Sequence, residues 1–242
     1  MKQLLLDVLA EPAPSLENYV AGLNAEAVAA LRGLAAGRAV YLWGPEGCGR
    51  THLLRAWAEG QPGAVYLDAN APIDVFQALA EDDASAADVA RVAVDDLHRL
   101  DDARRAAVFT LYNRWREAGA GSRAIALAAA GDRAPAAMPL REDLRTRLGW
   151  DLVFRLGVLS DADKEAALQR QAAARGLQLP PEMVRWILTH YERDMRRLTA
   201  LLAALDHYSL QTRRPVTLPT LRAMLAEHTN TPLPDTSHSC AP

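Results

Sequence analysis

Two regimes of hydrophobic patterning divide the chain near Leu159. Before it, short apolar runs alternate with longer amphipathic stretches. Ala39-Val40-Tyr41-Leu42-Trp43, Ala64-Val65-Tyr66-Leu67-Asp68, Arg91-Val92-Ala93-Val94-Asp95-Asp96, residues 123–129 and Leu152-Val153-Phe154-Arg155-Leu156 are too short for buried helices and are bounded by turn residues or charge. They predict five strands. Residues 25–36, 51–60, 73–79, 101–117 and 140–147 repeat their apolar positions at helical spacing and predict helices between those strands. Alternation of this kind implies an α/β fold with a mainly parallel five-stranded sheet. After Ser160 the pattern is helical only. Ser160 would cap a helix over 161–174, Pro180-Pro181 opens one to about Tyr191, Asp194 caps one to about Gln211 and Thr217 one to about His228. The expected organisation is an N-terminal peptide and linker (1–14), an α/β domain (15–159), a smaller all-α domain (160–228) and a polar, disordered tail (229–242).

Composition narrows the picture. Half of the 242 residues are hydrophobic, enough for a proper core. The 27 basic and 30 acidic residues leave a formal net charge of −3, no footprint for gripping nucleic acid unaided. Two cysteines, Cys48 and Cys240, make no disulfide framework and fit a cytoplasmic setting. No apolar run reaches membrane-spanning length, and Asp7 interrupts the apolar N-terminus that would otherwise suggest export. That N-terminus, followed by Glu11-Pro12-Ala13-Pro14, reads as a tethered docking peptide. A terminus folded onto its own domain is the plainer alternative.

The sharpest chemical signal is Gly44-Pro45-Glu46-Gly47-Cys48-Gly49-Arg50-Thr51, set between the first strand and a helix. Strand, glycine-rich loop and helix are what a phosphate-binding loop needs: glycines turn backbone N–H groups inward, and the helix start adds partial positive charge. Thr51 would offer its hydroxyl to magnesium. Arg50 stands where the GxxxxGK[ST] pattern has lysine. It keeps the charge but replaces a compact ammonium by a planar fork, so phosphate binding should survive and β/γ geometry should suffer. His52 follows, read as a packing or capping residue beside the site. The second signal is Asp95-Asp96 at the end of a buried strand, where open α/β sheets bind ligands. Asp95 would hold magnesium through water, and Asp96 would orient the attacking water. The plainer alternative is a turn that caps the next helix. Tryptophans 57, 115, 150 and 186 read as core or interface.

The ordered set of motifs resembles the DnaA family of bacterial replication proteins within the AAA+ nucleotide-binding class. The resemblance spans residues 15–228. It rests on the segment Leu16 to Asn24, the loop with its Arg50-Thr51-His52-Leu53-Leu54 continuation, Val94-Asp95-Asp96 and Gly131-Asp132-Arg133-Ala134-Pro135. It rests also on Asp143-Leu144-Arg145-Thr146-Arg147-Leu148-Gly149-Trp150 and Asp194-Met195-Arg196-Arg197-Leu198. What it implies is ADP or ATP with magnesium in the loop, Asp132 in the sensor-1 turn (with Ala130 where a hydroxyl is usual), an arginine finger at Arg147 and a sensor-2 arginine at Arg196 on a helical lid.

Two departures point to the regulatory branch of that family. The sequence shows no basic DNA-binding domain after the lid. Gln3-Leu4-Leu5-Leu6-Asp7-Val8 resembles the peptide that docks on the DNA polymerase sliding clamp, which would make Gln3, Leu4, Leu6 and Val8 clamp contacts. The resemblance therefore implies a cytoplasmic, nucleoid-associated adaptor with weak hydrolysis of its own. Its partners would be the initiator DnaA and the sliding clamp, with DNA reached mainly through the clamp, and self-association as a homodimer would be open to it. The alternatives are an AAA+ loader subunit for a clamp or helicase, and a shortened initiator.

Overall fold

The computed structural model describes residues 13–59, 61–81, 84–121, 123–190 and 195–229. Its frame is a sheet of five parallel strands: β1 (Ala39–Trp43), β2 (Ala64–Leu67), β3 (Arg91–Val94), β4 (Ala126–Gly131) and β5 (Leu152–Arg155). The order across the sheet is β2-β3-β4-β1-β5. Parallel neighbours require crossovers, and α1 (Ala25–Arg32), α2 (Arg50–Ala58), α3 (Ile73–Glu81), α4 (Asp102–Ala118) and α5 (Glu142–Leu148) provide the helical layers. Side-chain alternation divides the core in two. Val40, Leu42, Ala93, Ala128 and Ala130 pack with Leu31 of α1 and Leu53, Leu54 and Trp57 of α2. Ala39, Tyr41, Val92, Val94, Leu127 and Ala129 pack on the other face with Phe76 and Leu79 of α3 and Val108, Leu111, Tyr112 and Trp115 of α4. Covered on both faces, the inner strands read as continuous apolar runs. Among the described residues β5 pairs with β1 alone, and its burial alternates: Leu152 and Phe154 half-buried, Val153 and Arg155 exposed.

Residues 13–160 form one compact unit, and the chain from Asp161 belongs to another. The second is built of α6 (Asp161–Ala174), α7 (Pro181–His190), α8 (Met195–Thr212) and α9 (Leu218–Thr229). Its own core includes Leu168, Met183, Val184, Ile187, Leu201, Leu205, Leu221 and Met224.

Several boundaries differ from those read in the sequence. α1 ends at Arg32 instead of running to residue 36, because Gly33 closes it and Leu34 turns into the core. β4 starts at Ala126, since the tight turns Gly121 N–H to Ala118 O and Ala124 N–H to Gly121 O use up the residues before it. It also runs on to Gly131, pairing with Trp43. α3 extends to Glu81 and α9 to Thr229. The expected cap Asp194, the peptide 1–12 and the tail from residue 230 lie outside the described residues.

Candidate functional site

β1 lies inside the sheet, and the chain leaves it on one side for β2 while β5 fills the other. Such a reversal point, at the C-terminal edge of a parallel sheet, is where α/β folds bind ligands. The loop Gly44–Thr51 sits there and enters α2. Gly49, the residue before α2, has φ +91°, and a Cβ on it would come 2.6 Å from the Tyr19 ring. A Cβ on Gly44 would overlap Leu156 O and Cys48 Sγ. Glycine is required at both places. Cys48 fills the inside of the turn, its amide donating to Pro45 O at 3.3 Å, and burial pushes its thiol pKa up. Pro45, Glu46 and Gly47 are exposed and Thr51 half-buried. A tight loop of this shape, leading into a helix whose first amides have no side-chain cap, fits a phosphate group.

A strap from the N-terminal side holds the loop. Tyr19 OH donates to Cys48 O at 2.9 Å and accepts from Asn24 Nδ2 at 2.9 Å. Asn24 also donates to Gly157 O at 3.0 Å and accepts from Gly157 N–H at 2.8 Å. His52 Nε2 pairs with Ser15 O at 3.0 Å and its ring lies beside Tyr19, a packing role. Burial pushes the Tyr19 phenol up to about 12.

Arg50 turns back over its own loop. Its Nη1 donates to Gly44 O, and to Pro45 O at 3.4 Å, while Nη2 lies 3.8 Å from Asp96 Oδ1. Asp95 is buried. Its Oδ2 accepts from Tyr66 OH at 2.8 Å and its Oδ1 from the Asp96 amide at 2.8 Å. Asp96 takes the left-handed conformation, φ +46°, which aims it toward Arg50 and within 3.6 Å of Arg99 Nη1. His98 Nδ1 stands 4.0 Å from both Asp96 Oδ1 and Asp132 Oδ1. Arg133 binds Asp132 and, with His98 contributing less, holds its carboxyl below the usual range. The loop, Asp95, Asp96 and Asp132 thus converge, directly or through Arg50 and His98. For magnesium, the hydroxyl of Thr51 and the carboxylate of Asp95 have fitting chemistry, since this ion keeps several waters and needs few protein oxygens. No cluster of three or more His, Cys, Asp or Glu forms a metal cage among the described residues.

Arg147 stands apart from this cluster, on α5. Its guanidinium carbon is 3.8 Å from the Phe109 ring centroid and 5.0 Å from that of Trp150. Nε donates to Asn113 Oδ1 at 2.8 Å and Nη1 to Asp143 O at 2.9 Å. Its Nη2 makes no hydrogen bond to the described residues. Arg145 only reaches Ala136 O at 3.3 Å, and Arg141 pairs with Asp143 at 3.0 Å. Arg196 stands in the first turn of α8, and its side chain lies outside the described residues, as do Gln3, Leu4, Leu6 and Val8.

Residues 161–225 match the family model described as the Hda lid domain. The fold is that of domain III of the replication initiation protein DnaA from Thermotoga maritima, with a TM-score of 0.65 and 19% identity over 92% of this chain and 99% of that one. The chain thus has the fold of DnaA domain III, and its residues 161–225 are similar to the Hda lid domain. AMPPCP-bound DnaA from Aquifex aeolicus has the same fold at a TM-score of 0.63 and 18% identity, over 85% of this chain and 68% of that one. So does the RuvB Holliday junction branch migration motor from Thermotoga maritima, at 0.57 and 17%, over 88% and 68%. The sequence pointed to the loop and the double aspartate. It did not reveal Tyr66, His98 or the bonding of Tyr19 and Asn24, each of which depends on strand register or on contacts between residues far apart in the chain.

Proposed function

We propose that this protein holds a nucleotide in its own loop and acts on a second AAA+ protein, a DnaA-type initiator, whose ATP hydrolysis it stimulates while docked on the sliding clamp through Gln3, Leu4, Leu6 and Val8. It would thereby restrain replication initiation. The observation that carries this reading is the posture of Arg147. Two hydrogen bonds and an aromatic seat fix its planar fork, while Nη2 stays open to a partner. A finger fixed in this way loses little entropy when it meets a phosphoryl group, and its fork suits charge spread over several oxygens.

Within the protein's own site, the amides of Gly47 to Thr51 and the start of α2 would take the phosphates of ADP or ATP, with Arg50 adding charge. Thr51 and Asp95 would hold magnesium, which neutralises phosphate charge when bound. Asp132 and Arg196 complete the expected set around the nucleotide. A motor or loader needs its own water-orienting carboxylate free, and here Asp96 faces Arg50, which favours the adaptor.

The test is conversion of initiator-bound ATP to ADP in the presence of clamp-loaded DNA. Arg147→Ala should bind ADP and clamp as the parent does and lose at least about a hundredfold of the stimulated rate, because trans-acting fingers contribute about 10³–10⁵ where measured. Arg147→Lys should recover little, since an ammonium cannot replace the fork. The double change Gln3→Ala and Leu4→Ala should lose clamp binding and stimulation together. Full stimulation by Arg147→Ala would reject the reading.

A further inference from the structure

Arg50 of the loop and the second aspartate of the Asp95-Asp96 pair are engaged with each other, and nothing in the adaptor reading requires it. Three features define the contact. Arg50 is confined, its side chain 11% exposed, with Nη1 bound to the carbonyl of Gly44 and Nη2 3.8 Å from Asp96 Oδ1. Asp96 is brought there by a left-handed backbone, φ +46°, that L-residues adopt rarely. Asp95 cannot stand in for it, being buried with both carboxylate oxygens already accepting hydrogen bonds, from Tyr66 OH and the Asp96 amide.

We infer that Arg50 keeps this protein from hydrolysing its own ATP, by holding Asp96 in an ion pair and so withholding the carboxylate that would orient the attacking water. Asp96 serves as the anchor of the loop arginine, and the pair makes the site a holder of nucleotide. The inference rests on the nucleotide-binding part of the proposed function. A lysine at position 50 would put its single ammonium on the phosphates, as in the consensus loop, and would not span the loop carbonyls and Asp96 at once. Asp96 would then be released from the loop, with His98 and the mostly exposed Arg99 still beside it. In the reaction so released, the water oxygen bonds to the γ-phosphorus and the bond from that phosphorus to the β,γ-bridging oxygen breaks. ADP leaves with the bond's electron pair, and the water's proton passes by way of Asp96 to phosphate or solvent.

The experiment compares the parent, Arg50→Lys and Arg50→Lys/Asp96→Asn, without initiator, clamp or DNA. Affinities for ADP and for the non-hydrolysable AMPPCP come from calorimetry, and steady-state phosphate release from ATP is measured beside them. All three should bind both nucleotides within about tenfold of one another. Arg50→Lys should release phosphate at least about tenfold faster than the parent, and the double variant should fall back to the parent's rate, because water positioning contributes about 10²–10⁴. Unchanged turnover in Arg50→Lys with intact binding would overturn the inference and leave the nucleotide site standing. Retention of the gain in the double variant would equally overturn it, since Asp96 would not be the group withheld. Failure of the parent to bind either nucleotide at millimolar concentration would reject the nucleotide site itself, and the inference with it.

Discussion

At the scale of single residues, the most heavily engaged polar side chain around the site is Asn24. It is 4% exposed and joins Tyr19 OH to both backbone groups of Gly157. Asn24→Ala would leave the half-buried N–H and C=O of Gly157 without this partner. The expected loss is about 1–2 kcal/mol, read as a lower urea midpoint at unchanged slope. Tyr19→Phe removes one hydroxyl and should cost about 1 kcal/mol. Tyr19 and Asn24 lie in the segment Leu16 to Asn24 that carries part of the resemblance, yet no pattern along the chain marks Asn24 and Gly157 as bonding partners 133 residues apart. The loop glycines were legible because their requirement is local. Tyr66 was not, because its bond to Asp95 depends on β2 lying beside β3 with Tyr66 opposite Ala93. The aromatic seat of Arg147 likewise depends on α4 packing against α5.

At the scale of elements, strand identity was readable wherever both faces are covered, as in β1, β3 and β4. Helix and strand ends were less so. Leu34 continues the apolar spacing of α1 although Gly33 has already stopped the helix, and Ile125 is apolar and buried yet precedes the paired residues of β4. One element is secured from outside its own ladder. Asp151, just before β5, accepts from Arg38 Nε at 2.7 Å, Arg38 Nη2 at 2.6 Å and the Ala39 amide at 2.8 Å, tying the starts of β1 and β5 together. The two Arg38 bonds form a charge-assisted fork. Asp151→Ala should cost about 1–3 kcal/mol. It should also speed hydrogen exchange of the β5 amides more than those of β3, since β5 has a single neighbour. Equal acceleration in both strands would mean that Asp151 supports the whole sheet.

At the scale of the whole molecule, ionisation sets a window of stability with two edges. The carboxyls of Asp132 and Asp151 are held below their ordinary range, by Arg133 and Arg38 respectively. Folding is therefore strengthened above the unfolded value, about pH 4, and loses that contribution as pH falls through the lower folded values. Burial raises the phenols of Tyr19, Tyr41, Tyr66 and Tyr112, with Tyr19 pushed up to about 12. The folded state then binds more protons than the unfolded one above about pH 10, and stability drains away as pH rises from there through the folded values. A melting temperature that falls below pH 4 and above pH 10, with the phenolate absorbance of these four tyrosines appearing only as the protein unfolds, is the expected profile. Phenolate absorbance rising near pH 10 in the folded protein by more than two of the six tyrosines supply would contradict the buried state of these four. The strap over the loop has a mechanical side as well. Ser15 and Asn18 close a small reciprocal turn, Ser15 N–H to Asn18 Oδ1 at 2.9 Å and Asn18 N–H to Ser15 Oγ at 3.1 Å. Tyr19 and Asn24 follow directly on the chain. Tension on the chain at Ala13 reaches the loop Gly44–Thr51 in series through these side chains: the turn can uncoil and give slack first, and only further tension pulls on the ring that rests against Gly49.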